Sequence, residues 1–394
     1  MFQSAVLRAL AALVGVAAAL PASAGTEAPI KYLVSLKKSA DVELETHTQW
    51  VSEVHRRNLA RRDDAPAGVE ETFSYPGFQG YTGTFDSETV EMIRANPNVS
   101  AIEEDVVITV ATVVTQASPP WGLSAISNAN PPSASAGYHY DDSAGEGTFI
   151  YVIDSGILVQ HEDFEGRAEV GWRSGQATDY RHGTYVASIA GGRQWGVAKK
   201  ATIIDVQALG STTGTSSDIL ASINWVANDI SAKRRVGRAI VNMSLGASGS
   251  PQVLVQALQA LINNGVTVVA AAGNEGRDAS TSWPANMADT ITVAATSSNY
   301  RRWGPSNFGT AVDLFAPGDL VPGAGSASTT ATYINSGTSM AAPHVAGVIA
   351  YLTALERTRT PSENSARVKE LAVRGLISDL RGSPNLFLYN GVGR

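Results

Sequence analysis

Residues 149–156, which read FIYVIDSG, place an aspartate and a glycine directly after a short apolar run. A continuous apolar run of this length is typical of a strand that is buried on both faces of a parallel sheet. Similar runs follow, and helical patterns at 217–231 and 252–263 lie between several of them. The further runs are Thr202–Val206, Ala239–Met243, Val266–Ala271 and Thr290–Val293. Strands that alternate with helices predict a three-layer α/β/α domain from about residue 121 to residue 394.

A smaller unit precedes this domain. Residues 30–110 combine two helical patterns with three short strands in the order β-α-β-α-β, which is consistent with a ferredoxin-like α+β sandwich. Residues 111–121, ATVVTQASPPW, have no clear period and hold a Pro-Pro pair, so we interpret them as a linker. The strands are predicted at Tyr32–Leu36, Tyr81–Phe85 and Ser100–Val110, and the helices within 41–62 and at Ser87–Ile93.

The first 24 residues have the pattern of a secretory signal peptide. Arg8 supplies a positive charge, residues 9–20 are apolar, and Ala22-Ser23-Ala24 matches an A-x-A cleavage site. The apolar run is shorter than the ~20 residues that a bilayer requires. The alternatives are an N-terminal anchor or a misassigned start. No later segment has 18 uninterrupted apolar residues, so we expect no membrane span.

Composition narrows the classes of protein further. Of the 394 residues, 16% are charged and 44% are hydrophobic, which argues against a largely disordered chain. The net charge is 29 − 36 = −7, and a nucleic-acid-binding protein would instead carry a basic surface. The chain has no Cys, which excludes disulfides, thiolate metal sites and cysteine nucleophiles. Rigidity must then come from a large core or from bound ions.

Two polar residues follow strands of the predicted sheet. Asp154 ends the strand at 149–153, and Asn274 follows the apolar run at 268–272 through a glycine. Ligand and active sites of parallel α/β sheets form at the carboxyl ends of strands. Taken alone, Asp154 could cap a turn and Asn274 could be an ordinary turn residue with positive φ.

Two further candidates lie at predicted helix starts. Of the six histidines, only His182 combines a helix start with a flanking Gly and Thr. Ser339 lies in the first turn of a helix that should run to about Leu355, where unpaired backbone N–H groups can stabilise an anion. Taken alone, a surface histidine and an N-cap serine would explain these two residues as well.

Together these segments carry a specific resemblance. D-S-G at 154–156, H-G-T-x-V-A at 182–187, A-A-G-N at 271–274 and G-T-S-M-A-x-P-H-V-A-G at 337–347 stand in the order found in the subtilisin-like serine proteases. Over about residues 119–394 the chain resembles the proteinase K branch of this family and is similar to secreted fungal alkaline proteases. The resemblance implies a subtilisin-like α/β/α catalytic domain and a serine endopeptidase.

Other classes of function fit less well. An acyl hydrolase with the same residue types usually shows G-x-S-x-G and the order Ser, Asp, His, whereas this chain has Asp, His, Ser. A binding module that kept the fold but lost activity would lack a catalytic group, and none is missing.

The resemblance assigns a role to each of the four candidates. It implies that Ser339 is the nucleophile and that His182 is the general base and then the general acid. Asp154 would orient the imidazole and stabilise its protonated form. Asn274 and the Ser339 backbone N–H would form the oxyanion hole.

The resemblance also predicts how the substrate binds. Protein and peptide substrates would add as a strand between two edges of the cleft, with a third segment near the wall of the S1 pocket. One edge is Ser244, Leu245 and Gly246, the other is Thr213, Gly214 and Thr215, and the S1 segment is Ala271, Ala272 and Gly273. Arg181 and Tyr185 depart from the usual G-H-G-T-H, so we expect altered non-prime subsites.

A zymogen organisation follows from the same resemblance. We expect a signal peptide at 1–24, an inhibitor-type propeptide at 25–113 and the peptidase domain at 114–394. The propeptide would assist folding and then act as an intramolecular inhibitor, with processing near Val113–Val114. An inhibitor or chaperone role of residues 25–113 is expected only as part of maturation. The mature enzyme should be a secreted, extracellular monomer with no organic cofactor, no nucleic-acid partner and no membrane partner.

Calcium is the expected structural ion. Asp313 matches a calcium ligand of the family, and the carbonyls of Ala288 and Thr290 would be its partners. Oxygen ligands of this kind suit Ca²⁺. The alternative is a solvated aspartate at a strand edge.

Overall fold

The computed structural model describes residues 30–38, 43–59, 68–105, 112–131 and 136–392. The chain divides into two compact units, Met1–Thr109 and Val110–Arg394. The predicted signal peptide lies outside the described residues, so its assignment stays a prediction.

The first unit is a four-stranded antiparallel sheet with two helices. Its elements are β1 Ile30–Leu36, α1 Leu44–Leu59, β2 Gly68–Tyr75, β3 Phe78–Phe85, α2 Ser87–Ala95 and β4 Val99–Glu104. The strand order is β2-β3-β1-β4. The predicted α+β sandwich is confirmed, but β2 was missed. Only one of its eight residues is buried, so the sequence carries no alternating apolar signal there.

The second unit contains the remaining fifteen strands and six helices of the described residues. The helices are α3 Trp121–Ile126, α4 Arg181–Gly191, α5 Ser216–Ala232, α6 Gln252–Asn263, α7 Thr338–Leu355 and α8 Pro361–Leu371. The strands are β5 Val113–Gln116, β6 Tyr138–Asp141, β7 Phe149–Asp154, β8 Ala168–Arg173, β9 Thr202–Gln207, β10 Ala239–Met243, β11 Ala247–Ser248, β12 Thr267–Ala271, β13 Ser282–Trp283, β14 Ile291–Thr296, β15 Leu314–Pro317, β16 Val321–Ala324, β17 Thr332–Asn335, β18 Val373–Arg374 and β19 Leu386–Phe387.

A nine-stranded sheet forms the centre of this unit, in the order β18-β19-β15-β14-β12-β10-β7-β9-β8. All neighbours from β19 to β8 are parallel, and β18 pairs with β19 antiparallel. The five strands expected from apolar runs correspond to β7, β9, β10, β12 and β14. The predicted parallel sheet is therefore confirmed.

Helices cover both faces of the sheet, and the alternation within β7 shows this directly. Ile150 and Val152 belong to a core cluster that includes residues of α4 and α7, whereas Tyr151 and Ile153 belong to a second cluster with residues of α5 and α6. Successive side chains of a strand point to opposite faces. Both faces are buried, which explains why the strand reads as a continuous apolar run.

The helix α7 lies deep in the first of these clusters. Every residue from Thr338 to Thr353 is buried. Within the described residues it is the one helix long and apolar enough to cross a membrane, and 89% of that window is buried inside the protein. Its apolar character is that of a core helix.

Residues 113–116 of the predicted linker form a strand. This strand, β5, pairs antiparallel with β6, and Val113 and Val114 lie opposite Asp141 and Tyr140. Both valines are exposed or half-buried, so the four-residue strand has no recognisable period. The linker interpretation was wrong for residues 113–116, and the predicted processing bond lies inside β5.

Candidate active site

An aspartate and a histidine are paired at the end of β7. The strand delivers Asp154 to a fully buried position. His182, the second residue of α4, places its Nδ1 2.8 Å from Asp154 Oδ1 and 2.9 Å from Oδ2. The Ser155 N–H also donates to Asp154 Oδ1, at 2.6 Å. With Nδ1 donating to the carboxylate, Nε2 of the neutral ring is the nitrogen left to accept a proton.

The start of α4 lies directly against the turn that follows Asp154. A Cβ at Gly183 would lie 2.3 Å from the Gly156 carbonyl oxygen, so only glycine permits this approach. The Gly183 N–H donates to Ser155 Oγ at 3.1 Å. Ser155 and Gly156 after the aspartate, and Gly183 after the histidine, therefore hold the start of α4 against the end of β7.

The electrostatics of the pair favour a protonated imidazole. Burial by itself lowers the pKa of His182, but the charge of Asp154 and its hydrogen bond oppose this, and the net pKa is raised above its ordinary value. A base must be neutral to accept a proton. Activity that depends on His182 should therefore fall as the pH decreases through this raised pKa.

Ser339 lies at the buried start of α7, next to the cleft edge. Its Oγ donates to the Ser244 carbonyl at 3.3 Å, and Ser244 Oγ donates to the Ser339 carbonyl at 2.9 Å. In the part of the chain that the structure describes, the Ser339 hydroxyl forms no hydrogen bond with His182. Rotation about χ1 redirects the hydroxyl, and catalytic hydrogen bonds are often formed only when substrate is bound.

The side-chain amide of Asn274 is held in one orientation. Its Oδ1 accepts the Thr338 N–H at 2.8 Å and the Thr338 hydroxyl at 2.9 Å. The Nδ2 group has no protein partner among the described residues and is left as a free donor. Sequence reasoning found Asn274 but missed Thr338, which precedes Ser339 and orients the amide.

A cleft of about 540 Å³ contains Asp154 and His182 and has both predicted substrate edges in its walls. Both Thr213–Thr215 and Ser244–Gly246 line it. Ala271 and Ala272 are buried and do not line this cleft, and neither does Gly273. Sequence reasoning missed several lining residues that come from scattered elements, namely Leu209, Ile219, Leu254, Trp283, Tyr333 and Asn335.

The environment of Asp313 does not fit a calcium ion as it stands. Asp313 Oδ1 accepts the Lys369 ammonium at 3.0 Å, and Oδ2 accepts the Thr292 N–H at 2.9 Å. The ammonium already neutralises the carboxylate. No group of three or more His, Cys, Asp or Glu that could hold a metal occurs among the described residues. Calcium at Asp313, Ala288 and Thr290 stays a prediction from the resemblance.

Comparison with known proteins identifies the family of the chain. The model of the subtilase family matches residues 145–390, and that of the peptidase inhibitor I9 family matches residues 31–111. The chain belongs to the subtilase family and is a subtilisin-like serine endopeptidase with an I9 inhibitor domain before its catalytic domain.

Fungal alkaline proteases are similar over most of their length. Alkaline protease 1 of Aspergillus flavus is 45% identical over 376 residues, which cover 93% of each chain. The alkaline proteinase of Hapsidospora chrysogena is 41% identical over 98% of this chain and 99% of its own. The crystal structure of a cold adapted subtilisin-like serine proteinase superimposes with a TM-score of 0.65 at 36% identity, covering 69% of this chain and 98% of that one. The family resemblance is confirmed.

Proposed function

We propose that this endopeptidase is secreted as a self-processed zymogen and cleaves proteins with Asp154, His182 and Ser339. The observation that carries the proposal is the pairing of His182 with buried Asp154 in a cleft edged by Ser244, which itself contacts Ser339. The free amide donor of Asn274 supports the same assignment.

The residues have complementary tasks in the proposed reaction. Ser339 Oγ attacks the carbonyl carbon of the scissile bond while His182 Nε2 takes its proton, and Asp154 keeps Nδ1–H in place. The oxyanion that forms accepts hydrogen bonds from Asn274 Nδ2 and the Ser339 N–H. His182 then gives the proton to the departing amine, and the acyl-enzyme remains. Water, deprotonated by His182, attacks this ester and regenerates Ser339.

The substrate backbone would be held between the two edges of the cleft. Residues 213–215 and 244–246 both line the cleft, so we propose that an extended peptide adds between them as a central strand. Such binding depends more on the backbone of the substrate than on its side chains, and this supports a broad range of protein and peptide substrates.

Maturation is proposed to follow the zymogen route. The I9 match supports an inhibitor domain that leaves after cleavage near Val113–Val114. We further propose removal of residues 1–24 on export, an extracellular site of action and a monomeric mature enzyme. The propeptide is the proposed intramolecular inhibitor of the cleft.

The test combines covalent labelling with N-terminal sequencing of the purified secreted chain. A fluorophosphonate probe should label Ser339, and the labelled chain should begin near Val114. Ser339→Ala should be unlabelled and should keep its propeptide. Ser362→Ala is a matched control because Ser362 Oγ lies at the exposed start of α8, 3.3 Å from Thr360 Oγ1, and this variant should still be labelled.

Two outcomes would count against the proposal. A label on another residue would reject Ser339 as the nucleophile. A mature Ser339→Ala chain, secreted in a host without other proteases, would reject self-processing.

A further inference from the structure

The tyrosine one turn after His182 links the two halves of the catalytic machinery. Tyr185 lies three residues after His182, so both side chains project from neighbouring positions on α4. It is 1% exposed. The mechanism proposed above gives this buried phenol no role.

The phenol hydroxyl lies at the last rung of a hairpin. In the pairing of β16 with β17, Val321 stands opposite Asn335. The Tyr185 hydroxyl accepts the Asn335 N–H at 3.0 Å and donates to the Val321 carbonyl. One side-chain oxygen therefore bridges both strands at the end where β17 leaves the hairpin.

The chain that leaves this rung leads directly to the nucleophile. Asn335 is four residues before Ser339, and the short segment between them is fixed from the other side. There, Gly337 N–H donates to the Gly318 carbonyl at 2.7 Å and Ser336 Oγ accepts the Leu320 N–H at 2.9 Å. Tyr185 thus connects the helix of the general base with the segment that carries Ser339.

Packing around the ring supports a fixed position. A Cβ at Gly323 would lie 2.5 Å from the Tyr185 ring, so β16 passes against the ring where it has no side chain. Tyr333 contacts the ring edge-on at 5.5 Å between centroids. Burial raises the pKa of the phenol, so that the hydroxyl keeps its proton and remains a donor under alkaline conditions.

We propose that Tyr185 is a positioning residue that sets the placement of Ser339 relative to His182 through its hydroxyl bridge to Asn335 and Val321. The inference rests on the proposed triad, because it concerns the spacing of two of its members. Misplacement of reacting groups by about 1 Å can cost 10²-fold in rate. Tyr185→Phe keeps the ring and removes every hydrogen bond of the hydroxyl, including a longer one to the Asn335 carbonyl at 3.4 Å. It should therefore lower kcat by roughly 10-fold to 10²-fold.

A second contact on the same helix and hairpin supplies the control. Ser188 Oγ accepts the Ala324 N–H at 2.9 Å, at the far end of β16 from Asn335. Ser188→Ala also loosens the hairpin on α4 but leaves the rung next to Ser339 intact. It should lower the thermal midpoint and leave kcat per active site unchanged.

The experiment measures kcat and KM per site, counted by fluorophosphonate titration, for the wild type and both variants. We expect Tyr185→Phe to be fully titratable, with kcat reduced by more than KM is changed. Tyr185 and Asn335 also line the cleft, but the ring is kept and the two predicted substrate edges are untouched. A lower titratable fraction with unchanged kcat per site would show that Tyr185 has only a structural role and would overturn the inference. Equal losses of kcat in both variants would also overturn it. Wild-type enzyme that is not labelled at Ser339 would instead overturn the proposed function, and this inference with it.

Discussion

Replacing Asn274 by alanine and, separately, by aspartate distinguishes the role of the amide N–H donor from that of the amide oxygen. Asn274 Oδ1 accepts two hydrogen bonds from Thr338, and Nδ2 has no hydrogen-bond partner in the part of the chain that the structure describes. Aspartate keeps the two accepted bonds but replaces the free donor by negative charge. Alanine removes the donor and also leaves the Thr338 N–H and hydroxyl without this partner. The aspartate variant should therefore be the less active of the two but the more stable.

The expected activity can be estimated term by term. Loss of one oxyanion donor costs about 10²–10³ in kcat, or about 2.7–4 kcal/mol, a magnitude measured in subtilisin, which is itself a member of this family. The aspartate adds repulsion with the oxyanion. At ~4 Å this is about 1 kcal/mol in water and about 4 kcal/mol at an effective dielectric of 20. Because Asn274 is exposed, the lower part of that range applies, and the aspartate variant should be at least ~5-fold slower than the alanine variant.

The assay is kcat and KM on a chromogenic peptide, together with the thermal midpoint of each inhibited variant. Slow variants would be matured by a trace of affinity-tagged wild-type enzyme, which is then removed. We expect the activity order wild type, Asn274→Ala, Asn274→Asp, and a higher thermal midpoint for the aspartate variant than for the alanine variant. A change confined to KM, or an aspartate variant faster than the alanine variant, would refute the oxyanion role of the amide.

Three further perturbations test other parts of the molecule. Removing the charge next to His182 with Asp154→Asn should lower the histidine pKa, so the acid limb of the kcat/KM profile should move to lower pH; a limb that stays in place would contradict the pairing. His344 is fully buried, and burial lowers its pKa to about 4 against an ordinary value near 6.5, so the unfolded state alone takes up a proton between these values. Stability should therefore fall by roughly 3 kcal/mol as the pH decreases from about 6.5 to 4. Denaturant titration of the covalently inhibited enzyme should show a flatter profile for His344→Asn. Calcium at Asp313 would have to displace the Lys369 ammonium, so Lys369→Met should make the thermal midpoint rise more with added calcium than that of the wild type. An equal response to calcium in both proteins would contradict this competition.

The central sheet could be predicted because its strands are buried on both faces. A strand such as β10, with all five residues buried, has an apolar run that stands out in the sequence. The strands β2 and β5 could not be found in this way. Most of their residues are exposed or half-buried, and their pairing depends on backbone hydrogen bonds that every sequence can make.

The candidate site could be predicted where a residue is recognisable from its immediate sequence neighbours. Asp154 and Asn274 follow buried strands, and His182 and Ser339 start helices, so each stands in a recognisable local pattern. The contacts that orient them join distant parts of the chain. The Thr338–Asn274 bonds connect residues 64 positions apart, and Asn335 and Tyr185 are separated by 150 positions. No single-sequence pattern of period or spacing encodes such partners.

The burial of the helix that carries Ser339 links the proposed activity to the cooperativity of folding. From Thr338 to Thr353, α7 is buried on all sides, so this part of the helix can be stable only when the sheet and the facing helices pack around it. In an incompletely folded chain, Ser339 is therefore not yet placed next to the proposed oxyanion donor Asn274 or the proposed base His182. During synthesis, the chain can therefore hold every proposed catalytic residue and still be unable to cleave itself or its neighbours. The capacity for the first, proposed self-cleavage arises together with the native core, and the proposed inhibitor domain controls the activity that follows.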